Sequence, residues 1–143
     1  MIAPNVVTEM FAAYRTSLDS LEGKLGNAFS DAVDLLEGMS GTVVVCGMGK
    51  SGLVGAKITA TLTSTGTPSV FLHPAEAMHG DLGIVRKGDV IILISNSGET
   101  EEITRLLPAL KRLAVRIIAL VGNVDSTMAV SYTHLTLPTN GLV

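Results

Sequence analysis

The sequence predicts an α/β domain, a three-layer sandwich in which a parallel sheet of four to five strands is flanked by helices. Three observations predict it. Short β-branched apolar runs alternate with segments of helical periodicity, the pattern of a parallel sheet covered on both faces. The chain is 47% hydrophobic and 16% charged over 143 residues, with 15 Gly, enough apolar mass for one core. Polar loops follow the apolar runs, on the edge where such sheets bind ligands, beyond the carboxyl ends of the strands.

From Val6 to about Met39, apolar residues recur at helical spacing: Val7, Met10, Phe11, Tyr14, Leu18, Leu21, Leu25, then Phe29, Val33 and Leu36. Gly23 and Gly26 weaken the middle, which predicts two helices, about 6–22 and 27–38, ended by Ser40-Gly41. Thr42–Cys46 is β-branched and reads as the first strand, followed by a Gly-rich loop and a helix through about Ser64. Thr67–Leu72 is the second strand, and His73–Asp81 a polar connection with at most a short helical turn. Arg86–Asp89 turns into the third strand, Val90–Ser95. A helix is expected over 100–113, a fourth strand over Val115–Val121, and a short helix capped by Asp125 through Ala129. Tyr132, His134 and Leu135 are candidates for a fifth strand. No internal repeat or low-complexity tract is present.

Composition excludes several classes. Aromatics make up 3% with no Trp, too few for stacking on single-stranded nucleic acid, and the net charge of −3 provides no general basic surface. The single cysteine, Cys46, lies in an apolar strand and forms neither an internal disulfide nor a cluster of thiolates. The start Met1–Asn5 lacks the basic and apolar regions of a signal peptide, and no window reaches a membrane span. A cytoplasmic protein without nucleic-acid or membrane partners is expected.

Two loops carry chemistry. In Ile91–Glu102 a buried apolar run switches at once to Ser95, Asn96, Ser97, Gly98 and Thr100 before a helix. Such a junction offers unpaired N–H groups and the positive end of a helix dipole, an anion site suited to phosphate. The plainer alternative is that Ser97 or Thr100 only caps the helix. Three hydroxyls and an amide within six residues exceed what one cap needs.

The other loop, Gly47–Gly52, satisfies G-x-G-x-x-G between strand and helix. The dinucleotide reading lacks its acidic ribose partner, for which Glu76 is a poor substitute. The P-loop reading has Gly49-Lys50-Ser51 but Val44 where its first Gly belongs. Lys50 remains, a cation where glycines let a ligand approach. As a surface lysine at a helix start it would oppose the dipole, which favours a functional role.

Together these loops resemble the SIS (sugar isomerase) domain, and within it the arabinose-5-phosphate isomerases. The supporting stretches are Val45–Gly52, Ser64–Ser69, His73–Gly83 and Ile94–Glu99, ordered and correctly spaced over roughly residues 40–129. The resemblance implies an SIS-type, Rossmann- or flavodoxin-like fold and interconversion of ribulose 5-phosphate and arabinose 5-phosphate without a cofactor. It implies phosphate binding by Ser95, Asn96, Ser97 and Thr100, with Gly49 and Ser51 from the first loop, and marks Lys50 and Glu102 as active-site residues. The sugar phosphate is the implied partner, in a homo-oligomer that is typically a tetramer in the family.

Aldose–ketose isomerisation removes the proton beside a carbonyl and passes through an enediolate, so it needs a base, a proton carrier and a donor at the developing oxyanion. Lys50 suits the oxyanion. Glu102 is either the base or an ordinary surface residue, and Glu99 and Glu101 read as surface. His79 is either a sugar contact, oriented by Asp81, or a structural loop histidine; a metal shared with His73 is a minor reading, because the spacing matches no known ligand set.

After Met128-Ala129 the sequence leaves the family pattern. The expected divisions are helices over 1–40, a core over 41–129 and an atypical tail over 130–143, which reads as an artificial end on a truncated gene, with no CBS modules. Members carry a catalytic histidine later in the chain, and His134 does not inherit that role. Binding with impaired turnover is therefore expected. A non-catalytic regulatory SIS module and a Rossmann-type nucleotide binder are the lower-ranked alternatives.

Overall fold

Five parallel strands form one sheet in the order β2-β1-β3-β4-β5: β1 Val43–Gly47, β2 Ser69–Leu72, β3 Val90–Ser95, β4 Arg116–Val121 and β5 Thr136–Pro138. The computed structural model describes residues 4–131 and 136–138. The third strand sits where its apolar run placed it, and β1, β2 and β4 start one or two residues later than expected, with β1 also ending one residue later. Of the candidate fifth strand, Tyr132, His134 and Leu135 lie outside the described residues, while 136–138 pair with β4.

The central strands are buried on both faces, which is why they read as continuous apolar runs rather than alternating ones. Period two still sorts their side chains. Val44, Cys46, Ile91, Leu93, Ile117 and Ala119 face one layer, which includes Ile103, Leu106, Leu110 and Met128. Val43, Val45, Val90, Ile92 and Ile118 face the other, which includes Ala28, Ala32, Leu36, Ile58 and Leu62. The three layers are thus α1 (Pro4–Glu37) and α2 (Gly49–Ser64) below the sheet, and α4 (Glu101–Thr104), α5 (Leu107–Leu113) and α6 (Thr127–Val130) above it. A short α3 (Pro74–Met78) and a 3-10 turn (Asp81–Ile84) link β2 to β3.

The long N-terminal helix breaks where expected, at Gly26, whose φ of 46° and ψ of −151° are not helical. Residues after the break reach the sheet through Ala28, Ala32, Leu35 and Leu36. Before it, Val7, Met10, Phe11, Tyr14 and Leu18 form an apolar stripe at helical spacing that is 44–63% exposed. No described helix is long and apolar enough to cross a membrane.

Two expectations need correction. The helix over 100–113 is two helices, because Pro108 has no N–H to offer the carbonyl of Thr104 and its ring crowds that carbonyl. The chain turns at Arg105-Leu106, and both Ala109 N and Leu110 N restart the ladder on the Leu106 carbonyl at 3.0 Å. The short last helix is capped by Ser126, not Asp125: the Ser126 side chain accepts from Ala129 N.

At the opposite edge from the loops, buried Asp89 ties the starts of β1 and β3 together. Its carboxylate accepts from Thr42 N at 2.8 Å and from Arg86 N at 2.7 Å. Two backbone donors that the sheet leaves unpaired are satisfied by one side chain.

Candidate functional site

The strand order reverses direction between β1 and β3, the position at which open α/β sheets bind ligands. Gly47 and Ile94 are register partners, so the Gly-rich loop and the Ser-rich loop leave the sheet side by side.

The first loop folds tightly because its glycines allow it. Gly49 has φ +58°, a left-handed conformation that favours glycine. At Gly52 a Cβ would lie 2.8 Å from the Gly47 carbonyl oxygen, so only glycine lets the start of α2 rest on the end of β1. This seats Lys50, exposed, and Ser51, half-buried, in the first turn of α2. Lys50 makes no ion pair among the described residues.

The second loop is organised by its own hydroxyls. Buried Ser95 shares a 2.7 Å hydrogen bond with Thr100 Oγ1 and accepts from Gly98 N at 3.0 Å. Ser97 Oγ accepts from Glu99 N at 3.1 Å and stands 3.5 Å from Ser95 Oγ. Thr100 is the N-cap of α4 by position, yet its side chain makes no cap bond, because the hydroxyl is turned to Ser95. The capping alternative therefore fails for Thr100, and Ser97 serves a turn within the loop. The N–H groups of Ser97, Thr100, Glu101 and Glu102 donate to no acceptor among the described residues. Because α4 has only four residues, its dipole is weaker than a long helix's, and what the loop could offer an anion is these N–H groups and hydroxyls.

The other candidates sit on the same edge. Glu102 is half-buried in the first turn of α4, without an ion pair among the described residues. Asn96 is exposed, and its carbonyl accepts from Gly122 N at 2.9 Å. His79 is exposed at the end of α3, which packs against α4. Asp81 does not orient it: the two side chains share no hydrogen bond. His73 is occupied as the N-cap of α3, its Nδ1 accepting from Ala75 N at 3.3 Å. Among the described residues no three His, Cys, Asp or Glu side chains converge as a metal site would require.

Two residues that looked incidental shape the Ser-rich loop. Glu99, expected as plain surface, is exposed, but its Oε1 accepts from Thr127 N at 2.6 Å. That backbone bond holds its carboxyl below the usual carboxylate range. Glu101 pairs with Arg105 one turn on, as an exposed helix residue does. Gly98 has φ +68°, and a Cβ there would lie 2.0 Å from Ser126 Oγ. No local signal could reveal the Glu99 contact, since its partner is a backbone N–H 28 residues away. Beneath the site, burial pushes the Cys46 thiol up to about 12, which marks it as a packed, unreactive side chain.

The SIS domain family model matches residues 39–140, which include both loops. The arabinose 5-phosphate isomerase KdsD of Pseudomonas aeruginosa is 55% identical over 115 residues, covering 80% of this chain and 35% of the relative. The arabinose 5-phosphate isomerase KdsD of Escherichia coli K12 is 51% identical over 121 residues, covering 85% of this chain and 37% of the relative. The chain thus spans about a third of the length of these relatives. A solved structure of an Escherichia coli CFT073 protein in complex with a sugar phosphate superposes with a TM-score of 0.81 at 39% identity, covering 97% of this chain and 75% of that one. With the family model spanning both loops and a relative 55% identical over 80% of this chain, the chain belongs to the SIS domain family.

Proposed function

We propose that the chain carries the phosphosugar half-site of an arabinose-5-phosphate isomerase. The observation that carries the reading is the loop Ser95–Thr100, where clustered hydroxyls and N–H groups without an acceptor among the described residues meet at the switch point of the sheet. That is a cradle for a phosphate, and it lies one strand from the lysine-bearing loop. Relatives at 51–55% identity are arabinose 5-phosphate isomerases, which supports the choice of sugar.

In this reading Ser95, Asn96, Ser97 and Thr100 hold the phosphate, with Gly49 and Ser51 closing it from the first loop. Glu102 removes the proton beside the carbonyl, and Lys50 stabilises the enediolate oxygen that develops. His79 contacts the sugar from the end of α3. The exposed stripe Val7, Met10, Phe11, Tyr14 and Leu18 supports assembly into a homo-oligomer, which light scattering showing only monomer at micromolar concentration would refute.

The test is a melting experiment with millimolar arabinose 5-phosphate, inorganic phosphate or NAD. A ligand bound only by the folded state raises the melting temperature. A rise specific to the sugar phosphate, lost in Ser97→Ala, is expected. An equal rise with NAD, or none with the sugar phosphate, would overturn the reading.

A further inference from the structure

We infer that Glu99 is a positioning residue: its carboxylate latches the Ser95–Thr100 loop to the start of α6 and so sets how tightly the loop holds a phosphate. The inference rests on the phosphosugar reading and assigns a role to a side chain which that reading leaves idle.

Besides the backbone bond from Gly122 N to the Asn96 carbonyl, three contacts join Gly98 and Glu99 to Ser126 and the start of α6. Glu99 Oε1 accepts from Thr127 N at 2.6 Å, the Gly98 carbonyl accepts from Met128 N at 3.1 Å, and the Gly98 α-carbon lies directly against Ser126. From the other side, Ser95 Oγ accepts from Gly98 N and Ser97 Oγ accepts from Glu99 N. Residues 98 and 99 are therefore clamped between the hydroxyl cluster and α6. Moving either residue moves the oxygens and N–H groups meant for the phosphate.

The charge of Glu99 gives a second reason. A carboxylate within an anion-binding loop repels the anion unless its charge is engaged elsewhere. Here it is turned away onto the first N–H of α6, and that bond favours the ionised form. Removing the bond's donor frees the charge as well as the loop.

That donor can be removed cleanly. Thr127 is the first residue of α6, a position that tolerates proline, and Ser126 before it is extended, with φ −73° and ψ 160°, as a residue preceding proline prefers. Thr127→Pro thus deletes one N–H without breaking the helix. The experiment measures the dissociation constant for arabinose 5-phosphate by calorimetry, with inorganic phosphate as a second probe. It compares the parent chain with Glu99→Ala, Glu99→Gln, Thr127→Pro and the Glu99→Ala/Thr127→Pro double variant.

Glu99→Ala and Thr127→Pro are each expected to weaken the sugar phosphate about fivefold to tenfold. The double variant should be no weaker than the poorer single, and Glu99→Gln, which keeps an acceptor oxygen, should retain most of the affinity. Ligand-free melting temperatures should stay within ~2 °C of the parent, which a merely structural role would not predict. If Thr127→Pro loses its cooperative melt, the contrast between Glu99→Ala and Glu99→Gln decides by the same criterion. Unchanged affinity in Glu99→Ala, or losses that add in the double variant, overturns the latch while leaving the phosphosugar reading intact. Failure of the parent chain to bind overturns both.

Discussion

Replacing Gly98 by alanine is the sharpest way to ask whether the Ser-rich loop leans on the segment after β4 as described. The added Cβ would sit 2.0 Å from Ser126 Oγ, 2.4 Å from Ser126 Cβ and 3.4 Å from Val121 Cγ1. Ser126 cannot turn away freely, because its hydroxyl donates to the Asn123 carbonyl at 2.7 Å and accepts from Ala129 N. The backbone at φ +68° adds a left-handed penalty of about 1–2 kcal/mol for a residue with a Cβ. Overpacking of a well-filled site costs about 1–3 kcal/mol, so Gly98→Ala should lose about 2–5 kcal/mol in all. That is a large share of the roughly 5–15 kcal/mol by which domains of this kind are stable. Urea unfolding measures it, and Ser126→Gly provides the control. Alone, Ser126→Gly loses a cap and a turn bond, about 1 kcal/mol. In the Gly98→Ala/Ser126→Gly double variant the clash disappears, so the loss should fall short of the summed singles by the overpacking share of about 1–3 kcal/mol. Strict additivity, or a Gly98→Ala variant within about 0.5 kcal/mol of the parent, would refute the packing on which the reasoning rests.

Further outcomes follow from two buried groups, one at either end of the sheet. Asp89→Ala strands the N–H groups of Thr42 and Arg86 at a site where Asp89 itself is buried, and should cost about 2–5 kcal/mol in chemical unfolding; a cost below about 0.5 kcal/mol would show that water replaces the carboxylate. For Cys46 the folded thiol titrates near 12 against an ordinary value of 9.0, so the folded state keeps a proton that the unfolded chain loses. Its contribution to stability is complete below about pH 9 and falls as pH rises from there toward 12. A thiol reagent at pH 8 should label Cys46 only as fast as the chain unfolds, and labelling in the native state would contradict its burial.

The sheet was legible because both faces of its strands are covered, and uninterrupted Val and Ile runs have few other uses. The kink at Gly26 was legible too, since glycine weakens a helix wherever it falls. Pro108 was equally visible, but the apolar period running through it suggested one helix; the missing N–H outweighed the periodicity. Ser126 and Asp125 are adjacent cap formers, and only the geometry of α6 chooses between them. For the site, residue types at the two loops were readable as chemistry, whereas what each hydroxyl bonds was not. Thr100 reads as a cap and bonds Ser95 instead, while His73 caps a helix although histidine is not among the favoured cap residues. The role of Glu99 was hidden entirely, because hydrogen bonds to distant backbone leave no trace in local pattern.

That distance has a consequence for the order in which the molecule comes into being. The hydroxyl links within the loop span two to five residues and can form as soon as the local chain turns. The link from Glu99 to Thr127 spans 28, and closing so long a segment costs entropy that is offset only once β4 has docked beside β3. The Ser-rich loop is thus assembled in two stages. A chain emerging during synthesis, or opened transiently at that edge, has the loop's letters in place before it has the loop's shape.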